Sequence, residues 1–133
     1  MPLPHPLPDP LVELIARRFR VLGDPMRIRL LDRLREDEAT VQELTEALGA
    51  SQQNVSKHLQ LLLDARVVSR RKQGTHAYYS IADDGVLQLC EQVCGTLQRQ
   101  LADLQRVCEA IVEDVSAFRG YDLCGLSKPG EVP

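Results

Sequence analysis

The sequence predicts a mainly α-helical chain that carries one small β-hairpin and closes on a long helix built to pair with a second copy. Three observations predict it. Thr40–Leu48 and the stretch from Ser51 to Leu62 are short amphipathic segments separated only by Gly49-Ala50, a helix-turn-helix connection. Val67–Lys72 and Thr75–Ile81, rich in β-branched, aromatic and basic residues, flank Gln73-Gly74 as the arms of a hairpin. From Cys90 to Phe118, apolar residues recur at alternating spacings of four and three, a heptad seam. The architecture expected is a winged helix-turn-helix, dimeric through a long C-terminal helix. It occupies residues 11–118, between a Pro-rich disordered arm (1–10) and a flexible tail (119–133).

Taken in order, the prolines at positions 2, 4, 6, 8 and 10 favour an extended arm. Leu11, Val12, Ile15, Phe19 and Leu22 then recur at helical spacing, and this first helix stops near Gly23. Asp24-Pro25 is an N-cap followed by a proline where a missing N–H costs nothing. The second helix turns Ile28, Leu31 and Leu34 inward and ends near Arg35, before the charged turn Glu36-Asp37-Glu38. Thr40 with Glu43 forms a capping box for a third helix, with Val41, Leu44 and Leu48 inward. Ser51 caps the fourth, whose buried stripe is Val55, Leu59 and Leu62. The last helix runs from Asp83 to about Phe118.

The chain of 133 residues fits one domain with a core of its own. Its net charge of -3 does not announce a polyanion partner, but the charge is unevenly placed. Ser51–Ser80 holds Lys57, Arg66, Arg70, Arg71 and Lys72 against Asp64 alone, which leaves the rest of the chain at -7. A basic stripe on an acidic body turns one face toward phosphate. No apolar run is long enough to span a membrane, and MPLPHPLPDP has no basic or apolar region of a secretory signal. A cytoplasmic location is expected, with the cysteines reduced.

On the fourth helix, Gln53, Ser56, Lys57 and Gln60 fall opposite the buried stripe. Amides, a hydroxyl and one cation are the groups that bond base edges and phosphates in a major groove. A polar helix face by itself is only solvated; the Gly49 turn, the cap and the basic hairpin make it a DNA-reading face. Arg70, Arg71, Lys72 and His76 flank the hairpin tip and suit the phosphate backbone. Without a partner, the same charges would merely protect a sheet edge. His58, at the edge of the stripe, is a packing residue or a phosphate contact.

Cys90 and Cys94 lie one helical turn apart on one face, with Cβ atoms roughly 5–6 Å apart. Thiolates so placed can converge on one soft cation, whereas a disulfide would strain the helix. Cys108 and Cys124 are further candidates, from a partner's antiparallel helix or from the tail. The competing reading makes the cysteines of the seam small apolar fillers. A thiol enzyme is excluded: the last helix offers no histidine base, and nothing resembles a phosphate loop or catalytic triad. A protein-binding helical module is the remaining alternative. The seam residues Leu97, Leu101, Leu104 and Ile111 are expected at a homodimer interface.

The segments FRVLGDPMRIRLLDRL and VQELTEALGASQQNVSKHLQLLLDARVVSRRKQGTHAYYSI, followed by the closing helix, resemble the ArsR/SmtB family of bacterial winged-helix repressors. The resemblance covers about residues 11 to 118. It implies a homodimer that binds an imperfect inverted repeat in double-stranded DNA, represses transcription and is released by a ligand bound elsewhere. It also implies that Gln52, Gln53, Asn54, Ser56 and Lys57 read DNA, with Thr75 joining Arg70, Arg71, Lys72 and His76 in the wing. The departures concern the inducer. The third helix, TVQELTEAL, lacks the Cys-x-Cys of many soft-metal sensors. Asp84 matches the Asp of the last-helix metal site, but its histidines are missing, and the second helix lacks the cysteine of thiol-oxidation sensors. The expected inducer is therefore a thiol-reactive species at Cys90 and Cys94, such as As(III), Cd(II) or Zn(II). The alternatives are a reactive sulfur species or oxidant, or an organic ligand, or no inducer.

Overall fold

The computed structural model describes the backbone of residues 2–112 and the side chains through Glu109. Its elements are α1 (Asp9–Leu22), α2 (Pro25–Leu34), α3 (Val41–Leu48), α4 (Gln52–Asp64), β1 (Val68–Gln73), β2 (His76–Ile81) and α5 (Asp84–Val112). The chain divides into two compact units, one ending at Asp84 and the other beginning at Gly85.

The starts of α2, α3 and α4 each have a local chemical cause. The first helix starts at Asp9, inside the stretch expected to be an extended arm. Prolines are tolerated in a first turn, where their missing N–H has no intrahelical partner. The side chain of Asp24 caps α2 by accepting the N–H groups of Met26 (2.9 Å) and Arg27 (3.2 Å). At α3 the capping box is reciprocal: Glu43 N–H donates to Thr40 Oγ1, and Thr40 N–H to Glu43 Oε1, both at 3.1 Å. Gly49 ends α3 with φ 62°, and Ser51 Oγ accepts Asn54 N–H at 3.2 Å to open α4.

The strands pair antiparallel from Val68↔Ile81 to Gln73↔His76, so the turn is Gly74-Thr75 rather than Gln73-Gly74. Gly74 takes φ 62° there. Each strand begins one residue later than expected, and β1 also ends one residue later. A third segment joins the sheet: Ala39 exchanges backbone hydrogen bonds with Tyr79, at 3.0 and 2.8 Å.

The core of the first unit is built from Leu30, Leu31 and Leu34 of α2, Leu44 of α3, Val55, Leu59 and Leu62 of α4, and Val67, Val68 and Tyr79. The fourth-helix stripe is the one expected. On α2 the expectation is corrected at Ile28, which is 49% exposed, while Leu30 is fully buried. The second unit contains the remainder of α5, which spans roughly 43 Å at 1.5 Å per residue. The expected continuation of this helix to Phe118, the side chain of Ile111, Cys124 and the tail 119–133 lie outside the described residues. Among the described residues no helix is long and apolar enough to cross a membrane.

Candidate nucleic-acid interface

The fourth helix presents its polar side to solvent because Val55, Leu59 and Leu62 anchor the other side at full burial. Gln52, Gln53, Asn54, Ser56 and Lys57 are all exposed. They crowd the first turns, beside the N–H groups left free at a helix start. Gln60 is exposed too, but its amide donates to Asp64 at 2.8 Å, which occupies it within the helix.

His58 does not belong to that face. Its side chain is 13% exposed, and Nδ1 lies 3.1 Å from Nη1 of Arg27 and 3.9 Å from the Asp24 carboxylate. A guanidinium can only donate, so Nδ1 must offer its lone pair to Arg27. Arg27 also donates from Nε to the Val21 carbonyl (2.5 Å) and from Nη2 to the Arg20 carbonyl (3.3 Å). One arginine thus ties the end of α1, the start of α2 and the middle of α4. Asp24 adds its charge to this cluster. Burial pushes its carboxyl up, but hydrogen bonds from Arg27 and Met26 and the Arg27 charge outweigh that and hold it below the ordinary range. The sequence gives no local sign of this hub.

In the hairpin, strand alternation separates the expected basic contacts into two sets. Arg70 and Lys72 share a face with Val68, and neither makes an ion pair among the described residues. Arg71 is on the opposite face with Gln73. Its Nε donates to Glu38 Oε2 at 3.0 Å, Nη2 bonds Glu38 Oε1, and Nη1 donates to Gln73 at 2.6 Å. The guanidinium also lies over the Tyr78 ring, 4.7 Å from its centroid. The hydrogen bond from Arg71 holds the Glu38 carboxyl below its ordinary range, and Glu38 in turn raises the Arg71 guanidinium. Thr75 and His76 are exposed at the tip. Glu38, read from sequence only as part of a charged turn, is a component of the site that sequence reasoning missed.

On α5, Cys94 is exposed and Cys90 and Cys108 are half-buried, all three as free thiols. Among the described residues no three His, Cys, Asp or Glu side chains gather as a metal-binding group. Cys90 and Cys94 therefore offer two sulfurs without a third donor from the described chain.

A helix-turn-helix domain family model matches residues 22–71. The chain is 37% identical over 110 residues to the uncharacterized HTH-type transcriptional regulator Rv0081 of Mycobacterium tuberculosis, covering 82% of this chain and 93% of that one. The crystal structure of Rv0081 superposes with TM-score 0.67 at 36% identity, over 72% of this chain and 97% of that one. The solution structure of a homodimeric winged helix-turn-helix DNA-binding domain of Mb0332 from Mycobacterium bovis, a possible ArsR-family regulator, gives TM-score 0.63 at 28% identity. That match covers 74% of this chain and 91% of the fragment. A probable mercury resistance operon repressor of Streptomyces lividans is 39% identical over 89 residues, 67% of this chain and 66% of its own length. The fold and the site define a winged helix-turn-helix regulator. The chain belongs to the ArsR/SmtB family of transcriptional regulators.

Proposed function

We propose that this protein is a homodimeric, cytoplasmic repressor that binds an imperfect inverted repeat in double-stranded DNA and is released by a thiol-reactive inducer. One observation carries the DNA half: the N-capped, exposed polar turns of α4 stand on the same compact unit as a hairpin with two cations, Arg70 and Lys72, that make no ion pair among the described residues. Gln52, Gln53, Asn54, Ser56 and Lys57 enter the major groove, while Arg70, Lys72, Thr75 and His76 follow the phosphate backbone. Dimerisation is supported by the seam of α5, where Leu97 and Leu104 are about half exposed (50% and 48%) and Leu101 is partly so. Ile111 continues this seam in sequence.

For the inducer, the support is the spacing of Cys90 and Cys94 and the accessibility of Cys94. A relative named for mercury resistance favours a thiophilic ion such as As(III) or Cd(II), with Zn(II) next. Cys108 or Cys124 is the source of a further sulfur. The test is titration of the protein onto the DNA upstream of its own gene, with As(III), Cd(II), Zn(II), persulfide and peroxide added separately. One of these should weaken binding about 5–150-fold, and a Cys90→Ser, Cys94→Ser double variant should stay bound. Equal release of the double variant would make these cysteines packing residues.

A further inference from the structure

We infer that Glu38 is a positioning residue for DNA recognition: through Arg71 it sets the angle of the wing on the helix-turn-helix, and Arg71 is a strut rather than a phosphate ligand. The inference rests on the wing-to-backbone reading above and changes the division of labour within it. Arg71 faces Tyr78 across the hairpin, and Tyr79 faces Ala39 on the other side. The Arg71 side chain therefore starts on β1, crosses the Tyr78 ring of β2 and ends on Glu38 in the turn between α2 and α3. Three chain segments are held by one guanidinium. The next residues continue the connection: Ala39 is fully buried and bridges to β2, and Thr40 caps α3, the first helix of the DNA-reading pair. Three consecutive residues, Glu38, Ala39 and Thr40, thus carry the wing's orientation into the helix-turn-helix.

Three of the five guanidinium N–H donors of Arg71 already have acceptors, two of them on a carboxylate whose fork geometry matches the guanidinium. A phosphate that took the same fork would have to displace Glu38 and leave that anion bare beside the DNA, and the two N–H groups left over offer no second side-on pair. Arg70 and Lys72, on the other face, have no such commitment. With half-exposed partners the pair adds little to global stability, so its effect is on geometry.

The experiment compares the parent with Glu38→Gln, Arg71→Gln, the double variant and Arg70→Gln, measuring operator affinity across a salt series. Loss of a negative charge near DNA ordinarily tightens binding. A strut predicts the reverse: Glu38→Gln weakens operator binding at least about fivefold. Its salt slope stays that of the parent, and the double variant is no worse than Arg71→Gln. Arg70→Gln lowers the slope by about 0.9, as loss of one phosphate contact does. Tighter binding by Glu38→Gln, or a slope lowered by Arg71→Gln as by Arg70→Gln, overturns the inference. A readout without DNA separates this from failure of the DNA reading itself. Amide exchange at Ala39 and Tyr79 should quicken in Glu38→Gln and in Arg71→Gln but not in Arg70→Gln, and unchanged protection in the first two would also overturn it.

Discussion

Arg66 holds a backbone conformation usually taken by glycine. It follows α4 with φ 60°, while Val67 N–H bonds the Leu62 carbonyl and Arg66 N–H the Leu63 carbonyl, both at 3.0 Å. That is a Schellman ending with arginine in the left-handed position, and Leu62 and Val67 bury the accompanying apolar contact. Gly49, with φ 62°, occupies the same region of backbone space, and nothing lies within 4 Å of where its Cβ would be. Substitutions at these two sites should have opposite signs. Gly49→Ala should cost about 1 kcal/mol through the backbone alone. Arg66→Gly should be stabilising by up to about 1 kcal/mol, less the added freedom of the unfolded chain. Urea midpoints check both, and a lower midpoint for Arg66→Gly would remove strain at that position from the account.

At the scale of elements, the proposed function assigns base edges to α4 and the phosphate backbone to the hairpin. Gln53→Ala or Lys57→Ala should reduce operator affinity roughly ten- to hundredfold. Neither residue is buried, so circular dichroism and the thermal midpoint should not move. Variants that bind like the parent would relocate the reading surface. The buried stripe of the fourth helix was legible despite the run Leu61-Leu62-Leu63, because Val55 and Leu59 upstream set a phase that selects Leu62. On α2 the adjacent Leu30 and Leu31 make two phases available. The choice between Leu30 and Ile28 is made by what packs against the helix, which no local pattern contains.

For the whole molecule, the outstanding apolar surface is on α5, where Val93, Leu97, Leu104 and Val107 are each about half exposed. One helix cannot bury its own seam, and a second copy supplies a matching one. Leu97→Glu with Leu104→Glu places like charges on that seam. Sedimentation should then show monomers at micromolar concentration, with operator binding largely lost because two half-sites are no longer addressed together. A variant that remains dimeric would assign dimerisation to another surface, α1 being the next in line with Val12, Leu14 and Phe19 exposed.

Local chemistry determined most of the architecture from the sequence alone. Asp24, Thr40 and Ser51 each cap a helix through neighbours at most three residues away, Gly49 and Gly74 supply positive φ, and periodicity sets the polar face of α4. The early start of α1 at Asp9 was hidden because prolines suit an extended arm and a first helical turn equally well. What only the tertiary structure decided are the contacts between residues far apart in the chain. Arg27 meets His58 across 31 positions and Arg71 meets Glu38 across 33. A basic residue in a hairpin reads the same in sequence whether it awaits a phosphate or already holds a carboxylate. Strand register and the fold of the α2–α3 turn distinguish Arg71 from Arg70 and Lys72, because they place an anion within reach of one side chain alone.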